Sequence, residues 1–358
     1  MAGAYPVFKG MKTGFGGAEI NLYYLSKTLA QKDEYDVRFI VGDYSQSRRI
    51  MIENVSITKI KYLNHERYGS YFHKVLARAL FCFHLLFDSS DIYICSTASD
   101  FFAFIILVAQ GMRRKKVIFR AAHDWDVNGH FTKGTSILGM FHRFALPRAD
   151  AIVTQNEDQK RALKEIEGLQ SIVIRNGFPI NNTNVQTSRE YFLWVARADE
   201  FKRPHLYLQL AKKLPDYKFV MILADNNQLQ KDILVQSREI GNLKLVDGCG
   251  FFEILNYFKE AICLVNTSTA EGFPNTFIQA GLAKTPILSL KVNPDRMLDF
   301  FNMGFCCNDD LDKAADFIRS LTPEKIQLMG IEAFNYVRST HDIEEKIQQY
   351  IEVFKKIK

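Results

Sequence analysis

Short apolar runs alternate with helix-period segments along all 358 residues, in two series separated by a polar stretch. The first series reads helix 20–32, with Leu22, Tyr24, Leu25 and Leu29 on its apolar face. It continues as strands 37–41 and 56–63, helix 71–87, strand 92–95, helix 101–111 and strand 117–121. Helix 136–146, stopped by Pro147, strand 151–154, helix 157–167 and strand 171–174 complete it. Residues 176–190, rich in Asn and Thr and without apolar period, read as a linker. The second series runs strand 191–195, helix 204–213, strand 218–223, helix 227–240, strand 243–246, helix 252–260, strand 261–265 and strand 286–290. Helices 309–320, 323–338 and 341–357 close the chain. Such alternation gives parallel sheets covered by helices. The expected fold class is therefore α/β, with two Rossmann-like, doubly wound domains facing a central cleft. The expected boundaries are 1–180, 181–340 and a closing helix 341–358 that packs back toward the first domain. Open sheets of this kind bind ligands beyond the carboxyl ends of their strands.

At 47% hydrophobic and 24% charged, the composition is that of a globular protein rather than a disordered one. The longest apolar runs are 101–109 and, interrupted by Arg78 and His84, 75–87. Both fall short of the roughly 18–20 residues that span a bilayer. No basic stretch followed by an apolar signal opens the chain, so a cytoplasmic location is expected. Cys82, Cys95, Cys249, Cys263, Cys306 and Cys307 show no CxxC spacing. Buried, reduced thiols are expected, and no metal site.

The net charge of +6 is unevenly divided. Residues 1–180 hold 24 Lys and Arg against 17 Asp and Glu, whereas residues 181–358 hold 22 against 23. The basic excess of the first half suits an anionic substrate or an anionic membrane surface, or is simply a soluble basic face. No nucleic-acid-binding module is recognisable. Helices 71–87 and 136–148, with Arg78, His84, His142, Arg143 and Arg148 among apolar residues, fit either a membrane surface or the cover of a sheet.

Chemistry concentrates in residues 266–286. An apolar strand ends in a polar turn, followed by Glu271-Gly272-Phe273-Pro274 and a helix-like segment with Asn275, Thr276 and Gln279. Such a turn aims free backbone N–H groups at a helix N-terminus, a ready anion site. A carboxylate, an amide and a row of N–H donors suit a sugar and a phosphate together; an ordinary capped turn has the same outline. After strand 191–195, Arg197 and Lys202 flank a second turn. A guanidinium fork and an ammonium point charge there suit a diphosphate, as they also suit a charged surface turn.

Taken with Glu271-Gly272-Phe273-Pro274 and the octad from Glu271 to Gln279, the Arg197-x4-Lys202 pair resembles the GT-B-fold retaining glycosyltransferases of family 4 (glycosyl transferases group 1). Gly16-Gly17-Ala18-Glu19 is similar to their N-terminal glycine loop. Arg175-Asn176-Gly177-Phe178-Pro179 is similar to the segment closing their first domain, and the 245–268 spacing also fits. The resemblance covers nearly the whole chain in the right order. It implies transfer of a sugar from a UDP- or GDP-type donor to a glycan or lipid-linked acceptor, with retention, no cofactor and no metal. Surface polysaccharide synthesis, in the cytoplasm or on the inner face of the membrane, is the implied setting. Arg197 and Lys202 would neutralise the departing diphosphate, with amides near Phe273–Thr276 assisting. Glu271 would bind donor-sugar hydroxyls, Gln279 the ribose, and His123 would stand beside the donor sugar. Gly16 and Gly17 would receive a phosphate or the acceptor. Asp124-Trp125-Asp126, formally the metal motif of the other main glycosyltransferase fold, is expected to contact the acceptor or to stiffen its loop.

Three positions depart from the family pattern. Gln279 stands where family members usually have glutamate, which trades two charged acceptors for one acceptor and one donor. Leu223-Ala224-Asp225-Asn226 lacks the glycines frequent after that strand. Residues 1–8 leave little room for the strand that normally precedes the glycine loop. A non-catalytic sugar-nucleotide binder and a sugar-nucleotide epimerase are the alternative functions. The binder would hold donor without turning it over, and the epimerase would convert donor with no acceptor.

Overall fold

The structure, a computed structural model, describes residues 2–11, 16–63, 69–180, 188–224, 227–250 and 253–358. The chain divides into two compact units. The first comprises residues 1–9, 17–177 and 343–358, and the second residues 10–16 and 178–342.

In the first unit, a 3-10 turn (Ala2–Ala4) and α1 (Tyr5–Lys9) precede α2 (Gly17–Leu29) and strands β1 (Arg38–Val41), β2 (Arg49–Ile52) and β3 (Val55–Lys59). Then come α3 (Tyr71–Phe87), β4 (Ile92–Ser96), α4 (Asp100–Phe104) with a π-helical continuation (Ile105–Met112), and β5 (Lys116–Arg120). The unit continues with α5 (Ile137–Ala145), β6 (Ala151–Thr154), α6 (Glu157–Glu167) and β7 (Ile172–Val173). Its strands form two sheets. One has the order β1-β3-β2, in which β2 runs antiparallel to β3; the other is a parallel β4-β5-β6-β7 sheet.

The second unit holds β8 (Tyr191–Arg197), α7 (Pro204–Lys213), β9 (Phe219–Ala224), α8 (Gln228–Ser237), β10 (Leu243–Asp247), α9 (Ile254–Glu260), β11 (Ala261–Asn266) and α10 (Asn275–Leu282). It ends with β12 (Ile287–Ser289), α11 (Met297–Phe300), β13 (Gly304–Cys306), α12 (Leu311–Arg319) and α13 (Pro323–Thr340). Its six strands make one parallel sheet in the order β10-β9-β8-β11-β12-β13. The crossovers put helices over the sheet and bury Phe192, Trp194, Tyr207 and Phe219, all 2% exposed or less. The closing helix α14 (Ile343–Ile357) belongs to the first unit, where it packs on α2.

The little room read at residues 1–8 for a first strand agrees with a helical 2–9 that supplies none; Tyr5, Val7 and Phe8 are buried, with Phe8 edge-on to Tyr23 and Phe39. Several expectations need correction. Residues 176–178 are not linker: Asn176 is 1% exposed and accepts a hydrogen bond from Arg120, and Phe178 is 2% exposed. Of the expected linker, 181–187 lie outside the described residues. Strands β2 and β13 were not anticipated. The helix expected at 101–111 changes to a π-helix at Ile105 and runs to Met112. No described helix is long and apolar enough to cross a membrane.

Candidate functional site

The second unit brings three of its strand ends into one polar cluster. At the end of β11, Thr267 and Ser268 are buried, 0% and 2% exposed. The Trp194 indole N–H donates to Thr267 Oγ1 at 2.9 Å, and that hydroxyl donates to the Lys202 carbonyl at 2.5 Å. Thr269 N–H donates to the Phe201 carbonyl at 2.8 Å. Arg203 Nε donates to the Thr267 carbonyl at 2.6 Å, and its Nη2 reaches Asp309 at 2.5 Å. The turn after β8 is thereby bolted to the turn after β11. Arg203 adopts a left-handed backbone (φ 49°) that lets Pro204 open α7.

Within this frame Lys202 Nζ pairs with Glu271 Oε1, which also accepts from Ser268 Oγ at 2.8 Å. Both side chains are mostly withdrawn from solvent, at 17% and 12% exposure. In that setting the pair is far less screened than a surface ion pair. Two of the expected site residues are thus in direct contact. Arg197, the last residue of β8, is not part of that contact; it is exposed and pairs with Asp199 at 2.8 Å.

Beyond Glu271, Gly272, Phe273 and Pro274 are buried, and the Phe273 ring lies 4.6 Å from that of His341. Pro274 is the N-cap of α10, with extended backbone rather than a helical first position, and no side chain caps the helix. The first-turn N–H groups, around Asn275 and Thr276, are the donors expected of an anion site. Asn275 and Gln279, one turn apart, are buried at 8% and 7%. The position of α10 is set by close approach to α13. A Cβ on Gly281 would lie 2.5 Å from Val337 Cγ2, and one on Gly330 would lie 2.0 Å from the Lys284 carbonyl.

His123 lies in the first unit, after β5. Its Nδ1 accepts from the Trp125 N–H at 3.2 Å, and its ring lies tilted, 4.2 Å from the Trp125 ring. With Nδ1 an acceptor, the neutral imidazole carries its proton on Nε2. Asp126 is 1% exposed and serves the loop: Oδ1 accepts from Thr97 and Ala98, and Oδ2 from the Ala122 and His123 N–H groups. Asp124 accepts from Gln159 at 3.0 Å. Of the two roles expected for this Asp-Trp-Asp, Asp126 takes loop stiffening. Gly17 is the first residue of α2, and Gly16 immediately precedes it. Gly14, Asp225 and Asn226 lie outside the described residues. Among the described residues, no group of three or more His, Cys, Asp or Glu side chains converges on a common point.

Two family models match the chain. "Glycosyltransferase Family 4" covers residues 15–182, and "Glycosyl transferases group 1" covers residues 179–321. Together they run from the glycine loop past both turns of the polar cluster. The chain belongs to this glycosyltransferase family. Its fold is GT-B, as in several solved structures. The sucrose-phosphate synthase of Thermosynechococcus elongatus superposes with a TM-score of 0.76 at 16% identity, over 97% of this chain and 95% of that one. The Anabaena protein HepE, in complex with UDP and glucose, gives 0.74 at 15% identity, over 99% and 98%. The E. coli trehalose-6-phosphate structure with bound UDP-2-fluoro glucose gives 0.70 at 12% identity, over 96% of each chain. No curated protein matches the chain in sequence.

Sequence reasoning found Lys202, Glu271 and the α10 end but missed what fixes them. Thr267, Ser268, Arg203 and Trp194 form the hydrogen-bonded frame of the Lys202–Glu271 cluster. The signal available was Thr267-Ser268 directly after an apolar strand: two short hydroxyl side chains placed to satisfy the backbone of a neighbouring turn.

Proposed function

We propose that the chain transfers a sugar from a nucleotide-sugar donor to a glycan or lipid-linked acceptor, with retention of anomeric configuration and without a metal. The observation that carries this is the Lys202–Glu271 pair, framed by Thr267 and Ser268 and followed by the uncapped start of α10. A cation, a sugar-binding carboxylate and a helix start that no side chain caps follow one another within two adjacent strand-end turns. The bond between the sugar's anomeric carbon and the diphosphate oxygen breaks, the acceptor hydroxyl oxygen bonds to that carbon, and the hydroxyl's proton passes to the departing diphosphate, on which charge grows as the bond lengthens. Lys202 and the α10 amides stabilise that charge as it grows, and Arg197, exposed at the end of β8, exchanges Asp199 for phosphate. Glu271, relieved of part of its bond to Lys202, accepts hydrogen bonds from donor-sugar hydroxyls. Gln279 meets the ribose, and His123 Nε2–H serves as a donor to the sugar. Gly16 and Gly17 receive a phosphate or the acceptor. Relatives of this fold hold UDP with glucose and UDP-2-fluoro glucose, which favours a uridine nucleotide over a guanosine one. Surface polysaccharide synthesis at the inner face of the membrane is the setting that fits a lipid-linked acceptor.

A thermal-shift screen of UDP- and GDP-sugars identifies the donor, because a ligand that binds only the folded state raises its melting temperature. With that donor, Arg197→Ala and Lys202→Ala are each expected to lower turnover by roughly 10²–10³-fold. Chelation with EDTA is expected to leave turnover unchanged. Wild-type rates in either variant remove that residue from leaving-group stabilisation. A donor that binds but is never turned over supports the second reading, a sugar-nucleotide binder, for which Gln279 in place of glutamate is the motivating observation.

A further inference from the structure

Helix α3 is apolar on the wrong side as well as the right one. Ala77, Phe81 and Leu85 face the core, as a sheet-covering helix requires. Yet Phe72, Val75, Ala79, Phe83 and Phe87, at steps of three or four residues, form a second stripe on the solvent side. Phe72 is 70% exposed, Phe83 60% and Phe87 72%. The stripe continues on neighbouring elements of the same unit. The π-helical segment packs beside α3 and exposes Leu107 and Met112; α5 packs beside α4 and exposes Ile137 and Met140. Scattered exposed apolar residues are normal, but a run over adjacent helices marks an interaction surface.

The charges on these elements decide the partner. Residues 71–87, 100–112 and 137–148 contain one carboxylate, Asp100, and it is paired with Arg78. Lys74, Arg113, Arg114, Arg143 and Arg148 make no ion pair among the described residues. Arg113 donates to the Leu86 carbonyl beside Phe87, and Arg148 lies 4.2 Å over the Phe144 ring. Lys74 on α3 and Arg113 against its end thus border the aromatic stripe, and Arg143 lies on α5 with Arg148 just after it, in the manner that lets an apolar face enter an interface while the charges stay in the headgroup layer. A two-fold dimer through this face would set the unpaired cations of one copy against those of the other. An anionic lipid surface neutralises them.

We propose that the face made by α3, the π-helical segment and α5 docks on an anionic lipid bilayer, with Phe72, Phe83 and Phe87 inserting among the lipids. This deepens the membrane setting of the proposed function, on which it rests, and does not depend on the donor site. Co-sedimentation of the full chain with vesicles of phosphatidylcholine, with and without phosphatidylglycerol, tests it. Binding is expected only with phosphatidylglycerol, and is expected to weaken as salt rises. The double variant Phe83→Asp, Phe87→Asp is expected to lose roughly tenfold or more in partitioning, and Arg114→Glu with Arg143→Glu to weaken it further. Circular dichroism and an unchanged thermal shift with the donor show that each variant is folded. No binding by the wild-type chain, or equal binding by the Phe variant, overturns the proposal. So does a concentration-dependent dimer that the Phe variant abolishes without any vesicle binding. Neither result touches the proposed transfer activity.

Discussion

Gln279 sits 7% exposed on α10, and its side-chain amide makes no hydrogen bond among the described residues. Its amide atoms are not among the fully buried polar atoms that lack a partner, so solvent still meets them in the empty protein and a ligand can take its place. A carboxylate at the same place would cost the empty protein more and would return more to two ribose hydroxyls, through charge-assisted bonds. Gln279→Glu is therefore expected to lower the melting temperature without ligand. It should at the same time tighten nucleotide binding by about 1 kcal/mol, roughly fivefold. Calorimetric titration of the nucleotide into both proteins measures it, and a folded variant that no longer binds removes Gln279 from the ribose site. At this scale the sequence was legible where a residue type announces its chemistry. The opposite charges of Lys202 and Glu271, singled out in two separate turns, do meet in one ion pair. Thr267 and Arg203 were not legible. Their work is to satisfy the backbone of a turn more than sixty residues away, and nothing local in the chain encodes that pairing.

Elements with a strict period were plain from sequence. The bounds of α3, α6 and β6 came out as expected, since their apolar positions keep the helix or strand period and α3 and α6 carry capping residues, Ser70 and Asn156. The end of α3 shows what pattern alone omits. Asp88 caps the helix from outside it, and its carboxylate accepts from Ser90 N–H at 3.2 Å, Tyr93 hydroxyl at 2.8 Å and Arg38 at 3.0 Å. It thereby ties α3 to β1 and β4. Burial pushes the Asp88 carboxyl up, but the bonds from Ser90, Tyr93 and Arg38 outweigh it and draw the group down to about 2. A depressed carboxylate stabilises the fold above its unfolded value and loses that contribution as pH falls through the folded one. Asp88→Asn is accordingly expected to cost about 2 kcal/mol near neutral pH. The gap from wild type should close as the pH falls below the ordinary carboxylate range toward 2. Urea titrations at several pH values measure this, and a gap that is independent of pH would show the tie to be mere packing.

For the whole molecule, the alternation of strands and helices was enough to give two α/β units, and the closing helix was expected to return to the first, though the alternation itself does not say why. An amphipathic helix at the end of a chain carries its apolar face wherever a matching groove exists. Here Ile347, Tyr350, Val353 and Phe354 of α14 are all 3% exposed or less, within the first unit. Phe354 lies 6.0 Å from the Tyr35 ring, and Glu344 pairs with Lys32 at 3.1 Å. Burying four such side chains contributes roughly 6–12 kcal/mol at about 1.5–3 kcal/mol each. A domain's entire stability is about 5–15 kcal/mol, so the first unit should not survive the loss of α14. The second unit has its own core around Trp194 and Tyr207, to which no residue of that helix belongs. A chain ending at Asp342 is expected to lose the calorimetric transition of the first unit. It should keep a second transition that still moves upward when the nucleotide is added, because Lys202, Glu271, Gln279 and the start of α10 all belong to the second unit. If both transitions vanish together, the two units do not fold independently. If a transition survives but ignores nucleotide, the donor is held chiefly by the first unit, and Lys202 and Glu271 have been given the wrong task.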